Sequence, residues 1–154
     1  RLQSMTKIDD INRRILRELE RDGRVSNAEL AERVNLSASA CLRRVHELER
    51  SGVIAGYRAV LNREATGGGF VAYVTVGLSR HTKKDQLAFE RAMAIAPQVR
   101  ECHNITGVWE YLLRVEVENL VAYKQFHTEV LGTVPEVNSI TSYIVMGSPK
   151  DERS

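Results

Sequence analysis

Cysteine is scarce in this chain. The 154 residues contain two, Cys41 and Cys102, far apart and in no CxxC pair. That excludes a disulfide scaffold and a cysteine zinc cluster, and leaves two reduced thiols as the expectation. Histidine is thin as well: four residues, scattered along the chain. His103 adjoins Cys102, but neighbours on a strand point to opposite faces, so no metal site and no cofactor are expected. Long apolar runs are missing, none approaching the ~18 residues of a membrane helix. No charged-then-apolar leader opens the chain, which predicts a cytoplasmic protein with no membrane partner. The stretch RLQS ahead of Met5 reads as a cloning remnant, residues 1–5, and is set aside.

Lysine is almost absent from the first half, where Lys7 stands alone among arginines. Residues 1–63 carry 13 Lys and Arg against 9 Asp and Glu, net +4, and residues 64–154 carry 9 against 11, net −2. An arginine-rich module joined to a mildly acidic one points to a polyanion partner for the first only.

What is present falls into two patterns, separated by NREATGGG, residues 62–69, which reads as a linker or loose turn. Before it the periods are helical. Ile8, Ile11, Ile15, Leu16 and Leu19 make one apolar stripe, closed by Gly23 in a position able to turn left-handed. Ser26 and Glu29 form a capping box before a short helix that buries Leu30, Ala31 and Val34. Asn35 and Leu36 make a tight turn, and Ser37 caps a third helix running to about Arg50. Val53, Tyr57, Val60 and Leu61 around Gly56 suggest a small β-hairpin, a wing. Residues 6–61 thus read as a winged helix-turn-helix domain. After the linker, residues 70–78 form a strand, 83–96 a helix, 98–106 and 109–117 strands, 119–131 a helix and 137–147 a strand. The second helix has Leu120, Tyr123, Phe126 and Val130 on its inner face. This βαββαβ order predicts a ferredoxin-like domain over 70–148, and an α+β protein as a whole.

At 100° per residue, the third helix turns Cys41, Val45 and Leu48 inward and Ser39, Arg43, His46 and Arg50 outward, with Ala40 and Arg44 on the flanks. The outward face is expected to hold nothing large and apolar. That composition suits a major groove of double-stranded DNA. The small residues Ser37, Ala38, Ser39 and Ala40 let the backbone approach, and first-turn N–H groups can meet a phosphate. Ser37 and Ser39 can bond phosphate or base edges. Arg43 can reach guanine O6 and N7 with both arms, worth ~1–3 kcal/mol of discrimination. Arg44 is better placed to clamp a phosphate or a helix carboxylate. The plainer alternative is that Arg43, Arg44 and Arg50 are solvated and paired with Glu47 or Glu49.

Asp10 with Ile15 and Leu19, DGR at 22–24, LS at 36–37, R-V-x-x-L-E at 44–49 and G-V-I-x-G-Y at 52–57 together resemble the N-terminal module of the Lrp/AsnC (feast/famine) regulators. Downstream, Val99, Glu101, Cys102, Thr106, Gly107, Glu110, Tyr111, Leu112, Leu113 and Val115 resemble that family's strand-loop-strand signature. The resemblance spans about Ile8 to Met146. It implies a homodimer through the second domain's sheet, often assembled to an octamer. It also implies an amino-acid effector near the contact between dimers, beside the Gly107 loop. Val108 departs from the acidic residue usual after the glycine, and Trp109 from a smaller aromatic.

On that implied site, N–H groups around Gly107 would take a carboxylate and Glu110 an ammonium. Thr106 and Val108 belong to the same loop. Of Trp109 and Tyr111, at most one is expected to line a given wall, and both have the alternative of burial at a subunit interface. Thr141 and Ser142 would add hydroxyls. Val108 and Trp109 favour an apolar or aromatic amino acid. The leading expectation is a sequence-specific transcriptional regulator of amino-acid metabolism. The alternatives are a DNA-wrapping architectural protein with little sequence preference, or an enzyme resembling the siroheme decarboxylases, for which no nucleophile–base pair is visible.

Overall fold

The computed structural model describes residues 8–152, so the remnant expected over residues 1–5 lies outside the described residues. The chain divides into two compact units between Ala59 and Val60.

The first unit is three helices, α1 (Asp10–Arg21), α2 (Asn27–Val34) and α3 (Ala38–Arg50). Helix α1 is capped by Asp9, whose carboxylate accepts from Asn12 N at 2.7 Å. Ile8 therefore precedes the helix and is exposed instead of opening the apolar stripe. Ile15 is fully buried against Leu30, Ala31, Val34, Cys41 and Leu48, with Ile11, Leu16 and Leu19 packed around them. Gly23 does not turn left-handed. The Asp22 side chain accepts from Arg24 N at 3.0 Å, so an aspartate-nucleated turn leaves the helix without needing a positive φ. Ser26 caps α2 through Glu29 N, but the Glu29 carboxylate pairs with Arg33, leaving the box one-sided.

The expected hairpin does not form. Residues 55–62 carry neither strand nor helix. Val53, Tyr57, Val60 and Leu61 are all exposed. A two-stranded ribbon with no face to bury gains too little to hold itself. Tyr57 instead donates its hydroxyl to Glu49 Oε1 at 2.9 Å.

The second unit is a four-stranded antiparallel sheet with helices on one face. Its strands are β1 (Phe70–Leu78), β2 (Val99–Asn104), β3 (Tyr111–Val117) and β4 (Val137–Ile144), with α4 (Lys83–Ile95) and α5 (Leu120–Gln125) in the crossovers. The order β2-β3-β1-β4 is the ferredoxin-like one. Ala72, Val74 and Val76 of β1, with their β3 partners Val115, Leu113 and Tyr111, turn to the helices and are fully buried. Tyr73 and Thr75 turn to the open face, opposite Tyr143 and Thr141 of β4.

The helix expected over 119–131 is interrupted. After Gln125 it widens into a π turn, Phe126–Val130, then tightens to a 3-10 turn, Leu131–Thr133. The hydroxyls of Thr128 and Thr133 bond the carbonyls of Lys124 and Glu129 at 2.9 and 3.0 Å, competing with the regular ladder. The extra residue shifts the helical phase. Tyr123, Phe126 and Leu131 fill the core, Val130 packs at its margin, and Leu120, expected inside, is exposed.

Phe89 is fully buried at the centre of the second core. Phe89→Ala should cost about 3–5 kcal/mol of stability by chemical denaturation; a loss below 1 kcal/mol would mean the site collapses around the smaller side chain.

Candidate nucleic-acid interface and effector site

Helices α2 and α3 are set by their turn. Asn35 adopts the left-handed conformation, φ 55°, and Leu36 N donates back to Ala31 O at 2.9 Å. The Asn27 amide donates to Ala38 O at 2.8 Å, tying the start of α2 to the first residue of α3. Ser37 caps α3, its hydroxyl accepting from Ala40 N at 3.2 Å and lying 3.3 Å from the Ser39 hydroxyl. One acceptor position of Ser37 is thus used within the helix.

The rotation expected for α3 holds. Cys41 and Leu48 are fully buried and Val45 half-buried, while Ser37, Ala38, Ser39, Arg43, His46 and Arg50 are exposed and Ala40 is half-buried. Ser39, Leu42, Arg43, His46, Glu47 and Arg50 line one shallow concavity of about 410 Å³. Leu42 corrects the expectation of a face without large apolar groups. It lies 100° from Cys41, beyond the edge of the core, and is 43 % exposed.

The three arginines have different fates. Arg44 turns back to α1, donating to Asp9 Oδ2 at 2.8 Å and Asn12 Oδ1 at 3.1 Å. Of the two roles expected for it on the flank of the helix, the helix carboxylate is the one it takes. Its hydrogen bond is the main cause holding the Asp9 carboxyl below its usual pKa. Arg50 forks onto Glu47 at 2.7 and 3.0 Å, which lowers the Glu47 pKa and neutralises much of that end of the face. Among the described residues, Arg43 forms no ion pair.

In the second unit the segment between β2 and β3 closes when Ile105 N donates to Glu110 O at 2.9 Å and the Asn104 amide to the same oxygen at 3.1 Å. Gly107 crosses the turn at φ 118°, a conformation costly for any side chain. Thr106, Gly107 and Val108 are exposed, Val108 at 83 %. Glu110 is held from two sides: Oε2 accepts from Leu78 N at 2.9 Å and Oε1 lies 2.7 Å from His81 Nδ1.

Two expected contributors fall elsewhere. Tyr111 is fully buried, its ring 4.6 Å from that of Phe89 and its hydroxyl donating to Glu90 Oε1 at 2.7 Å. Burial first, and then Glu90, push its pKa far up. As expected, only one of Trp109 and Tyr111 lines a surface wall, but strand alternation is not the reason, since residues two apart share a face. Strand β3 begins at Tyr111, which leaves Trp109 free to turn to the open side. There it lies over Gly77, where an added Cβ would come within 2.9 Å of the indole. Ser142 faces the helices and bonds the Tyr123 hydroxyl, whereas Thr141 sits on the open face beside Thr75. The hydroxyls of Thr75 and Ser139 are buried without a hydrogen-bond partner. Thr75, Gly77, His81 and Ser139 were not among the expected site residues. Gly77 was findable, because a glycine inside a β-branched strand marks close approach by another group; nothing in the spacing marks His81.

A helix-turn-helix with an outward cationic helix, followed by a ferredoxin-like unit with an open loop, defines a DNA-binding, ligand-modulated transcriptional regulator. The chain belongs to the Lrp/AsnC family. Residues 71–154 match the Lrp/AsnC ligand binding domain and residues 8–55 the winged helix-turn-helix DNA-binding family. It is 42 % identical to the leucine-responsive regulatory protein of Rhizobium meliloti over 145 residues, covering 94 % of this chain and 93 % of that one. It is 39 % identical to that of Escherichia coli K12 over 143 residues, 93 % and 87 %. Among solved structures it is similar to a transcriptional regulator of Neisseria meningitidis in complex with L-methionine, at TM-score 0.90, 32 % identity and 94 % coverage of each chain. It is also similar to the feast or famine regulatory protein of M. tuberculosis complexed with L-methionine, at TM-score 0.82, 31 % identity and coverage of 96 % and 98 %.

Arg44→Ala should lower the melting temperature of the first unit while leaving base preference unchanged. A changed preference with unchanged melting would return Arg44 to the reading face.

Proposed function

We propose that this regulator is sequence-specific, that it reads DNA through Ser37, Ala38, Ser39, Ala40, Arg43 and His46 of α3 and its cap, and that it controls genes of amino-acid metabolism in the cytoplasm. The observation that carries the reading is Arg43: exposed, on the outward face of the second helix of a helix-turn-helix, and paired with no carboxylate among the described residues. A guanidinium in that position is free to fork onto guanine, while first-turn N–H groups position the helix on a phosphate. Arg50 enters only by exchanging Glu47 for phosphate.

The second unit takes an amino acid at the Thr106–Glu110 loop, its carboxylate on N–H groups around Gly107 and its ammonium on Glu110, with Trp109 and Val108 adding apolar wall and Thr141 a hydroxyl. The methionine complexes of two relatives support this ligand class. A homodimer through the open face of the sheet, assembling further to an octamer, would present paired α3 helices to half-sites ~34–36 Å per turn apart. The exposed Tyr143 on that face supports the contact.

Selection of bound duplexes from a random pool, with and without a mixture of amino acids, tests the reading. A defined motif is expected, shifted in yield by the mixture. Binding of all sequences alike at fixed salt would favour the DNA-wrapping alternative. Arg43→Ala should relax preference at one base pair per half-site, a loss of about 1–3 kcal/mol of discrimination. A thermal-shift screen of the twenty amino acids should give a rise with at least one apolar member, approaching about 2.7 kcal/mol of added stability at a hundredfold excess over Kd; no rise with any of them would remove the effector assignment.

A further inference from the structure

Leu42 stands outside the buried core of the first unit, which Ile15, Leu30, Ala31, Val34, Cys41 and Leu48 form. It is 43 % exposed. A single exposed leucine is ordinary on a protein surface. This one lies in the N-terminal half of α3, in an i, i+4 row with Ala38 and His46, so it shares their side of the helix. It is the one apolar side chain in a concavity otherwise lined by Ser39, Arg43, His46, Glu47 and Arg50.

The N-terminal part of a recognition helix is the part that meets base edges. On the floor of the major groove every base pair offers donors and acceptors, and only thymine adds an apolar group, its C5-methyl. A leucine pressed against an amino group or a carbonyl would strip it of water and return no hydrogen bond. Against the methyl it loses nothing and removes apolar surface from water.

We propose that Leu42 is a specificity-determining residue that reads the C5-methyl of a thymine, in the same half-site as the base pair read by Arg43. This deepens the reading of α3 as the DNA-reading helix and rests on it. The two side chains are consecutive on one helix, with a rise of about 1.5 Å between them, so the guanine and thymine contacts fall within one half-site. They are independent in kind: one is charge-assisted and bidentate, the other purely a matter of shape and desolvation.

The test uses the full chain and the duplex selected from the random pool. Each thymine is replaced in turn by 2′-deoxyuridine, which deletes the methyl and keeps the pairing. At one thymine per half-site the replacement should weaken binding about fourfold, the value of one apolar carbon removed from burial. Leu42→Ala should bind the thymine and uracil duplexes equally well, while keeping its preference at the base pair that Arg43 reads. Leu42→Gln, which preserves helix propensity, should shift the selected base at that step away from thymine. If every thymine tolerates uracil, or if Leu42→Ala remains as sensitive to uracil as the parent, Leu42 does not read the methyl, and the role of Arg43 stands untouched. If no duplex is selected at all, sequence-specific reading fails as a whole, and the role of Leu42 with it.

Discussion

Cys41 and Leu48 are fully buried on one side of α3, packed against Ile15 of α1 and Leu30, Ala31 and Val34 of α2. Everything proposed for the DNA-reading face depends on that packing. A helix is close to a rigid rod with 100° between successive side chains. Once two positions are fixed inside, the direction of every other side chain follows. Arg43 and His46 point outward because Cys41 and Leu48 point inward. The polar contacts around α3 act on the angle of the rod more than on its existence. Asn27 holds its first residue, Asn35 provides the left-handed corner before it, and Arg44 fastens its middle to Asp9 and Asn12.

The same arginine chemistry is put to opposite uses within eight residues. Arg44 is partly shielded and spends its donors inside the unit. Arg50 is exposed and satisfied by its neighbour three residues back, a pair that weighs little for stability because solvent and salt screen it. Arg43 has no such neighbour. A count of positive charge along the chain treats the three alike, yet only one is available without breaking an existing contact. The net +4 of the first half therefore overstates the cationic character of the reading face.

In the second unit the corresponding constraint is strand register. Pairing Val76 with Tyr111 and Val74 with Leu113 sends those side chains to the helices. Residues between them are left on the open face, where Tyr73, Thr75, Arg114 and Thr141 gather. Arg114 is nearly buried there, its guanidinium bonded to Glu116 Oε1, the Tyr73 hydroxyl at 3.0 Å and Asp151 Oδ2 at 3.4 Å. Beyond the end of β3 the alternation no longer applies, and Trp109 and Glu110 take directions set by the Gly107 turn and by Leu78 N. The register thus makes Tyr111 a core residue, and its ending at Tyr111 lets Trp109 line a surface site.

Helix and strand existence was legible from apolar period, capping serines and β-branched runs, since these depend on residues within a few positions of each other. The inward and outward sides of α3 were legible for the same reason. Three things were not. The hairpin after Gly52 had suitable residue types, but no partner face on which to bury them. The phase of the last helix depended on two threonine hydroxyls taking carbonyls from the ladder. The partners of Arg44, Glu110 and Tyr111 come from 35, 29 or 32, and 21 residues away. By itself the sequence determined the two-unit order, the elements and the outward cationic helix, because local propensity and periodicity specify them. Only the tertiary structure decided which arginine remains free, which aromatic is core and where the acid of the loop is held, because those outcomes rest on contacts between segments distant along the chain.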